Sequence, residues 1–194
     1  MVRANSLRVR VHVSSIANAA ELHHIDRTSL TGREQTFQEN QIIVSKTDAR
    51  GVLTYVNRVF IDISGYEEEE LLGRPHSMIR HPHMPRCIFK LLWETIKKRQ
   101  EIFAYVVNRC KNGDHYWVLA HVTPMLGANG EIVGYHSNRR VPRREQLAVI
   151  EPIYKDLLKI ESAGGTAAME KAYETLMEKL QKQGLQYDQF IHSF

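Results

Sequence analysis

Three segments in close succession between residues 57 and 117 limit what this chain can fold into more than anything else in it. The first, Asn57-Arg58-Val59-Phe60-Ile61-Asp62-Ile63-Ser64-Gly65-Tyr66, has the pattern of a short capped helix. The second is a turn rich in histidine, arginine and proline, Gly73-Arg74-Pro75-His76-Ser77-Met78-Ile79-Arg80-His81-Pro82-His83-Met84-Pro85. The third is a hairpin, Asn108-Arg109-Cys110-Lys111-Asn112-Gly113-Asp114-His115-Tyr116-Trp117. Proline fixes its own φ and restricts the residue before it, so Arg80 and His81 sit on stiff backbone. Cationic and hydrogen-bonding groups are thus gathered beside strands with an apolar face. That arrangement favours a domain that holds a ligand over one that catalyses.

The flanking signals supply the rest of a sheet. Ile42-Ile43-Val44 and Val52-Leu53-Thr54-Tyr55-Val56 read as strands around the turn Asp48-Ala49-Arg50-Gly51. Asn57 stands where a helix N-cap belongs, with Val59, Phe60 and Ile63 as the apolar stripe. Residues 67–72 form an acidic helical turn closed by Gly73, its glutamates reading as a solvated face. Pro85 opens a helix with Ile88, Phe89, Leu92, Trp93 and Ile96 on one side and Lys97-Lys98-Arg99 at its end. Strands then follow over 102–110, 115–125 and 131–138, the first two joined by Asn112-Gly113, which predicts a type I′ turn. Five antiparallel strands with short helices on one side make an α+β domain over residues 41–140. Tyr116, Val118 and Ala120 share one strand face and Trp117, Leu119 and His121 the other, so terminal helices or a second subunit should cover the outer side.

Both ends differ from this core. Residues 1–40 read as an N-terminal cap or extension, with Val9, Val11 and Val13 alternating and a short helix over 16–22. Residues 141–194 read as two amphipathic helices around Gly164-Gly165, with stripes Leu147/Ile150/Tyr154/Leu157 and Met169/Tyr173/Leu176/Leu180. Pro152 should kink or restart the first helix, and Thr166 should cap the second.

Composition narrows the classes. With 194 residues, 43% hydrophobic and 25% charged, the chain suits one ordinary core plus an accessory element. No run approaches the roughly 18 apolar residues of a membrane span, and no signal-peptide stretch is evident, so a cytoplasmic location is expected. Two cysteines, Cys87 and Cys110, read as free thiols. The clusters Arg3/Arg8/Arg10 and Arg139/Arg140/Arg143/Arg144 lack interleaved aromatics and read as solvated faces, with no nucleic-acid partner. No phosphate-binding glycine loop or nucleophile elbow occurs, so no enzyme is expected. His81-Pro82-His83 with Cys87 falls short of zinc spacing, and no metal site is expected.

Residues 41–140 resemble a PAS domain, specifically the flavin-binding kind of bacterial aerotaxis receptors. The likeness rests on the three segments quoted above, most specifically on Arg80-His81-Pro82 with Met84-Pro85 and on Asn-Gly-Asp-His-Tyr-Trp at 112–117. It implies a PAS fold holding FAD noncovalently, with Asn57, His76, Arg80, His81, Trp93 and Asn108 in the pocket. Two positions depart from the family: His83 replaces an aspartate, and Ile102 replaces a tryptophan. Read as residues, Arg80 offers a fork that matches pyrophosphate oxygens, and Asn108 offers donor and acceptor together to a ring edge. Trp93 suits a pocket wall as well as a core, and Asn57 is equally explained by helix capping.

The expected function is a redox or oxygen sensor that signals in trans to a chemoreceptor-type partner, or as a homodimer through the terminal helices. Removing residues after Pro142 is expected to spare the cofactor. Two alternatives stay open: a haem b sensor with His76, His81 or His83 as axial ligand, and, from the enzyme class, a small flavin-dependent oxidoreductase.

Overall fold

The computed structural model describes residues 30–193. The alternating valines and the helix expected over 16–22, with the Arg3/Arg8/Arg10 cluster, lie outside the described residues.

Strands β1 (Ile43–Asp48) and β2 (Leu53–Val56) form the first hairpin. Gly51 turns it at φ 84°, where a side chain would be strained and would press on Trp93. Helix α1 (Arg58–Ser64) ends at Gly65 in the left-handed conformation, and α2 (Glu68–Leu71) carries its glutamates exposed as expected. A 3₁₀ turn over His76–Ile79 leads into α3 (Arg86–Lys97). Strands β3 (Ile102–Arg109), β4 (His115–Leu126) and β5 (Ile132–Arg140) form the meander. The sheet order is β2-β1-β5-β4-β3, so β1 pairs with β5 and the first hairpin closes onto the last strand. This is the expected five-stranded antiparallel sheet.

Two local expectations are corrected. Arg99 alone among non-glycine residues described has positive φ, so Asn112 does not make a type I′ turn. Its side chain instead accepts from the Asp114 N–H at 3.0 Å and donates to the Asp114 carboxylate at 3.0 Å. The same carboxylate accepts from Thr31 and Gln35, which fastens residues 31–35 beside the start of β4 and holds the Asp114 carboxyl below its ordinary pKa.

The second correction concerns the C-terminal helices, α4 (Arg144–Glu161), α5 (Gly165–Lys182) and α6 (Tyr187–Ile191). Helix α4 continues through Pro152 and does not restart there, with Pro152 and Ala148 both exposed. Gly164, not Thr166, precedes the first turn of α5. Leu147, Ile150, Tyr154 and Leu157 are all buried, as their spacing predicted. The most buried stripe of α5 is Ala168, Ala172, Leu176 and Leu180, rotated so that Met169 and Tyr173 lie at its margin. The Tyr154 hydroxyl donates to the Tyr105 carbonyl at 2.6 Å, and Trp117 packs on the Tyr154 ring, so α4 covers the outer face of β3 and β4. Helix α6 lies against β3, and α5 packs on α3.

Candidate functional site

The inner face of the sheet does not close onto its helices. A cavity of about 440 Å³ remains between β1, β3, β4, β5 and helix α3. Val106, Ala120, Val122, Leu92, Ile96, Trp93 and Tyr135 line it with apolar surface. Strand alternation brings Ser45 and Thr47 of β1, Ser137 and Arg139 of β5, and Asn108 of β3 to the same wall. Its size is that of small-molecule pockets generally.

Of the six residues expected at the site, four line this cavity: His76, Arg80, Trp93 and Asn108. Trp93 meets Tyr135 edge-on at 5.3 Å, which fixes both rings as wall. Asn108 is buried, and its backbone bridges to Arg80, so the turn is stitched to the end of β3. The His76 Nε2 lies 3.4 Å from the Ser45 hydroxyl. Burial, reinforced by the charge of Arg139, pushes the His76 imidazole down to about 3, which keeps it neutral. The Arg80 guanidinium lies over the Phe89 ring at 4.1 Å. Burial lowers its pKa to about 10, with Glu161 opposing the shift, so it remains a cation.

Asn57 and His81 are placed elsewhere. The Asn57 side chain accepts from the Phe60 and Val44 N–H groups at 3.2 and 2.9 Å and donates to the Ile42 carbonyl at 2.8 Å. It caps α1 and ties that helix to β1, away from the cavity lining. His81 follows Arg80, whose backbone is extended, and successive side chains on extended backbone point to opposite sides. The His81 ring therefore enters a separate groove under α4, with His83 at 4.9 Å, His115 at 5.5 Å and Trp117. Its Nδ1 accepts from the His83 N–H at 3.1 Å, and burial holds the imidazole down to about 4. The departure at His83 thus falls in this groove and not in the cavity.

Arg139 is the residue that the sequence reading misplaced. Expected on a solvated basic face, it is 2% exposed, and only its neighbours Arg140, Arg143 and Arg144 reach water. Its guanidinium donates to the Ser45 and Ser137 hydroxyls and lies 4.7 Å from the centre of the Phe60 ring. Burial lowers its pKa to about 10. The signal was present in strand period: Tyr135, Ser137 and Arg139 alternate inward together.

Three buried polar atoms on lining residues have no hydrogen-bond partner: Thr47 Oγ1, Arg80 Nη2 and Arg139 Nη1. The lining also contains Arg50, Arg86 and Lys90 and, among the described residues, no aspartate or glutamate. Burying a guanidinium without a matching acceptor is unfavourable by several kcal/mol in order of magnitude. The wall therefore suits a ligand that brings acceptors or negative charge. Cys87 and Cys110 are free and buried, with thiols pushed up to about 12, and neither lines the cavity.

Residues 53–139 match the family described as PAS fold, and the sheet with its helices has that fold. It resembles the aerotaxis receptor of Escherichia coli (strain K12), 41% identical over 128 residues, which is 66% of this chain and 25% of that protein. The nitrogen fixation regulatory protein of Klebsiella pneumoniae is 30% identical over 103 residues, 53% of this chain and 21% of its own length. The chain thus spans about a quarter or less of these relatives. Among solved structures, the dark structure of the blue-light photoreceptor Aureochrome1 LOV aligns with a TM-score of 0.51 at 23% identity. That alignment covers 57% of this chain and 82% of the other and supports the fold. No helix among the described residues is long and apolar enough to cross a membrane.

Proposed function

We propose that this PAS domain is a redox or oxygen sensor that holds FAD noncovalently in the cavity and signals in trans to a chemoreceptor-type partner. The observation that carries the reading is a pair of guanidinium groups, Arg139 buried and Arg80 half-buried, each with a buried donor atom lacking a hydrogen-bond partner on a wall whose described lining residues include no carboxylate. FAD combines an apolar planar ring, a hydrogen-bonding ring edge and a diphosphate. Val106, Ala120, Leu92 and Trp93 would take the ring by contact, and Asn108 would meet its edge with donor and acceptor. Arg80 suits the diphosphate, because an arginine fork pairs with phosphate oxygens. The bound flavin would supply a group whose electron content follows the supply of reductant and oxidant. The absence of a cysteine from the lining favours noncovalent retention. The relationship to an aerotaxis receptor supports both the sensory role and a chemoreceptor-type partner. A cytoplasmic homodimer is the assembly we assign to it.

His76 favours one rival, since it is the one imidazole on the described cavity wall and is held neutral, as an axial haem ligand would be. An absorbance spectrum of the purified protein incubated with each cofactor separates the two. The flavin reading expects a yellow protein that releases intact FAD on heating. A Soret band assigns haem b to His76, and binding of neither overturns both. Steady oxidation of NAD(P)H with an added acceptor would replace the sensor by a flavin-dependent oxidoreductase.

A further inference from the structure

The C-terminal helices are part of the cavity wall. Met169 of α5 is among the lining side chains, and α5 packs along α3 through Lys90 to Glu170 at 3.3 Å and Tyr173 to Glu94 at 3.3 Å. The N-terminus of α3 has no cap from its own side chains, because Pro85 precedes it. Glu161, the last residue of α4, supplies that cap from 75 residues away. Its carboxylate, in a residue 7% exposed, accepts from the Arg86 and Cys87 N–H groups at 2.9 and 2.8 Å. Arg86 completes the clamp by donating to the Gly165 carbonyl at 2.8 Å. One turn further along α3 stands Phe89, on whose ring the Arg80 guanidinium rests. Contacts therefore run without a gap from Glu161 through the first turn of α3 to the cavity cation.

We infer that Glu161 is a positioning residue for the cavity, and that ligand occupancy and docking of the C-terminal hairpin are coupled through α3. This coupling deepens the FAD reading and rests on it. A buried carboxylate holding two N–H groups at a helix start has exchanged its water for those bonds. Undocking would strand it and would withdraw Met169 from the wall. A ligand that packs on Phe89 and Met169 is bound by the docked state more tightly than by the undocked one. Linkage then requires that the ligand stabilise docking by the same factor.

The test uses the full chain and FAD, with hydrogen exchange followed over residues 165–182. In the wild type, FAD should slow exchange of α5 about tenfold. Glu161→Ala should weaken FAD binding about tenfold and remove the FAD-dependent protection. Glu161→Gln keeps an acceptor for one N–H and should recover most of both. Met169→Glu places a charge on the wall at a partly exposed position; it should weaken FAD about tenfold at unchanged melting temperature of the ligand-free protein. It decides the matter if Glu161→Ala does not fold. FAD bound without protection of α5, or with affinity unchanged in the Glu161→Ala or Met169→Glu proteins, overturns the coupling alone. A wild-type chain that binds no FAD overturns the cofactor reading and the coupling together.

Discussion

The two faces of this sheet are both buried, yet they are finished differently. On the outer side of β3 and β4, the Tyr154 hydroxyl donates to the Tyr105 carbonyl, Trp117 packs on the Tyr154 ring, and Leu157 is 1% exposed. On the inner side, Thr47, Arg80 and Arg139 present buried polar atoms with no partner around a cavity of about 440 Å³. The outer face has apolar matter packed against apolar matter, with the Tyr154 hydroxyl bonded to the backbone of β3. The inner face holds Arg139 buried and Arg80 half-buried on a wall whose described lining residues include no carboxylate. A satisfied interface contributes to stability, whereas an unsatisfied one marks where binding free energy is held in reserve for a ligand.

If that distinction is right, substitutions on the two faces should separate stability from affinity. The largest effect is expected from Leu157→Ala under α4, which should destabilise the protein by about 2–5 kcal/mol in denaturant unfolding. Its ligand-free fold depends on that packing. Arg139→Met should do the reverse. It removes a buried unpaired charge, so the melting temperature of the ligand-free protein should hold or rise, while FAD affinity falls at least tenfold, about 1.5–3 kcal/mol. A large loss of ligand-free stability in Arg139→Met would show that the inner wall is already complete without a ligand.

The pH dependence probes the same wall. The folded pKa of His76 is depressed to about 3 from 6.5, so the unfolded chain binds its proton more readily. Stability from this group is therefore fully present above about pH 6.5 and is lost as pH falls towards 3. Between pH 6.5 and 5 the loss is on the order of 2 kcal/mol. His76→Gln should roughly halve the slope of that part of the profile measured by thermal unfolding, the remainder coming from His81 and His136, whose imidazoles burial also holds below the ordinary value. The smallest effect belongs to Asn57→Ala. It should lower stability by about 1 kcal/mol through loss of the α1 cap and leave FAD affinity unchanged. Loss of affinity there would return Asn57 to the site.

The hairpin shows what changes when the elements are assembled. Its apolar stripes and Gly164-Gly165 were readable in sequence, and so was the need to cover the face carrying Trp117. The expectation that it could be removed without touching the cofactor is revised by Met169 on the cavity wall and by Glu161 at the start of α3. Nothing in the spacing of a glutamate ending one helix indicates that it caps another 75 residues earlier in the chain.

Local pattern determined the elements, because period-2 and period-3.6 burial, glycine at positive φ and asparagine at a cap act within a few residues. That was enough to place the strands, the helices other than α6, and the five-stranded α+β sheet, whereas the six expected site residues came from the family resemblance. Only the tertiary structure decided which turn residues face which side. The bridge between Arg80 and Asn108 sends Arg80 inward and His81 outward, although the two are adjacent and equally polar. Only the pairing of β1 with β5 brings Ser45 to Arg139, across 94 residues, and turns one arginine of a basic run into a buried cation. A residue's charge is written in the sequence, but its solvation is set by everything that folds around it, and solvation is what makes a cation a binding group.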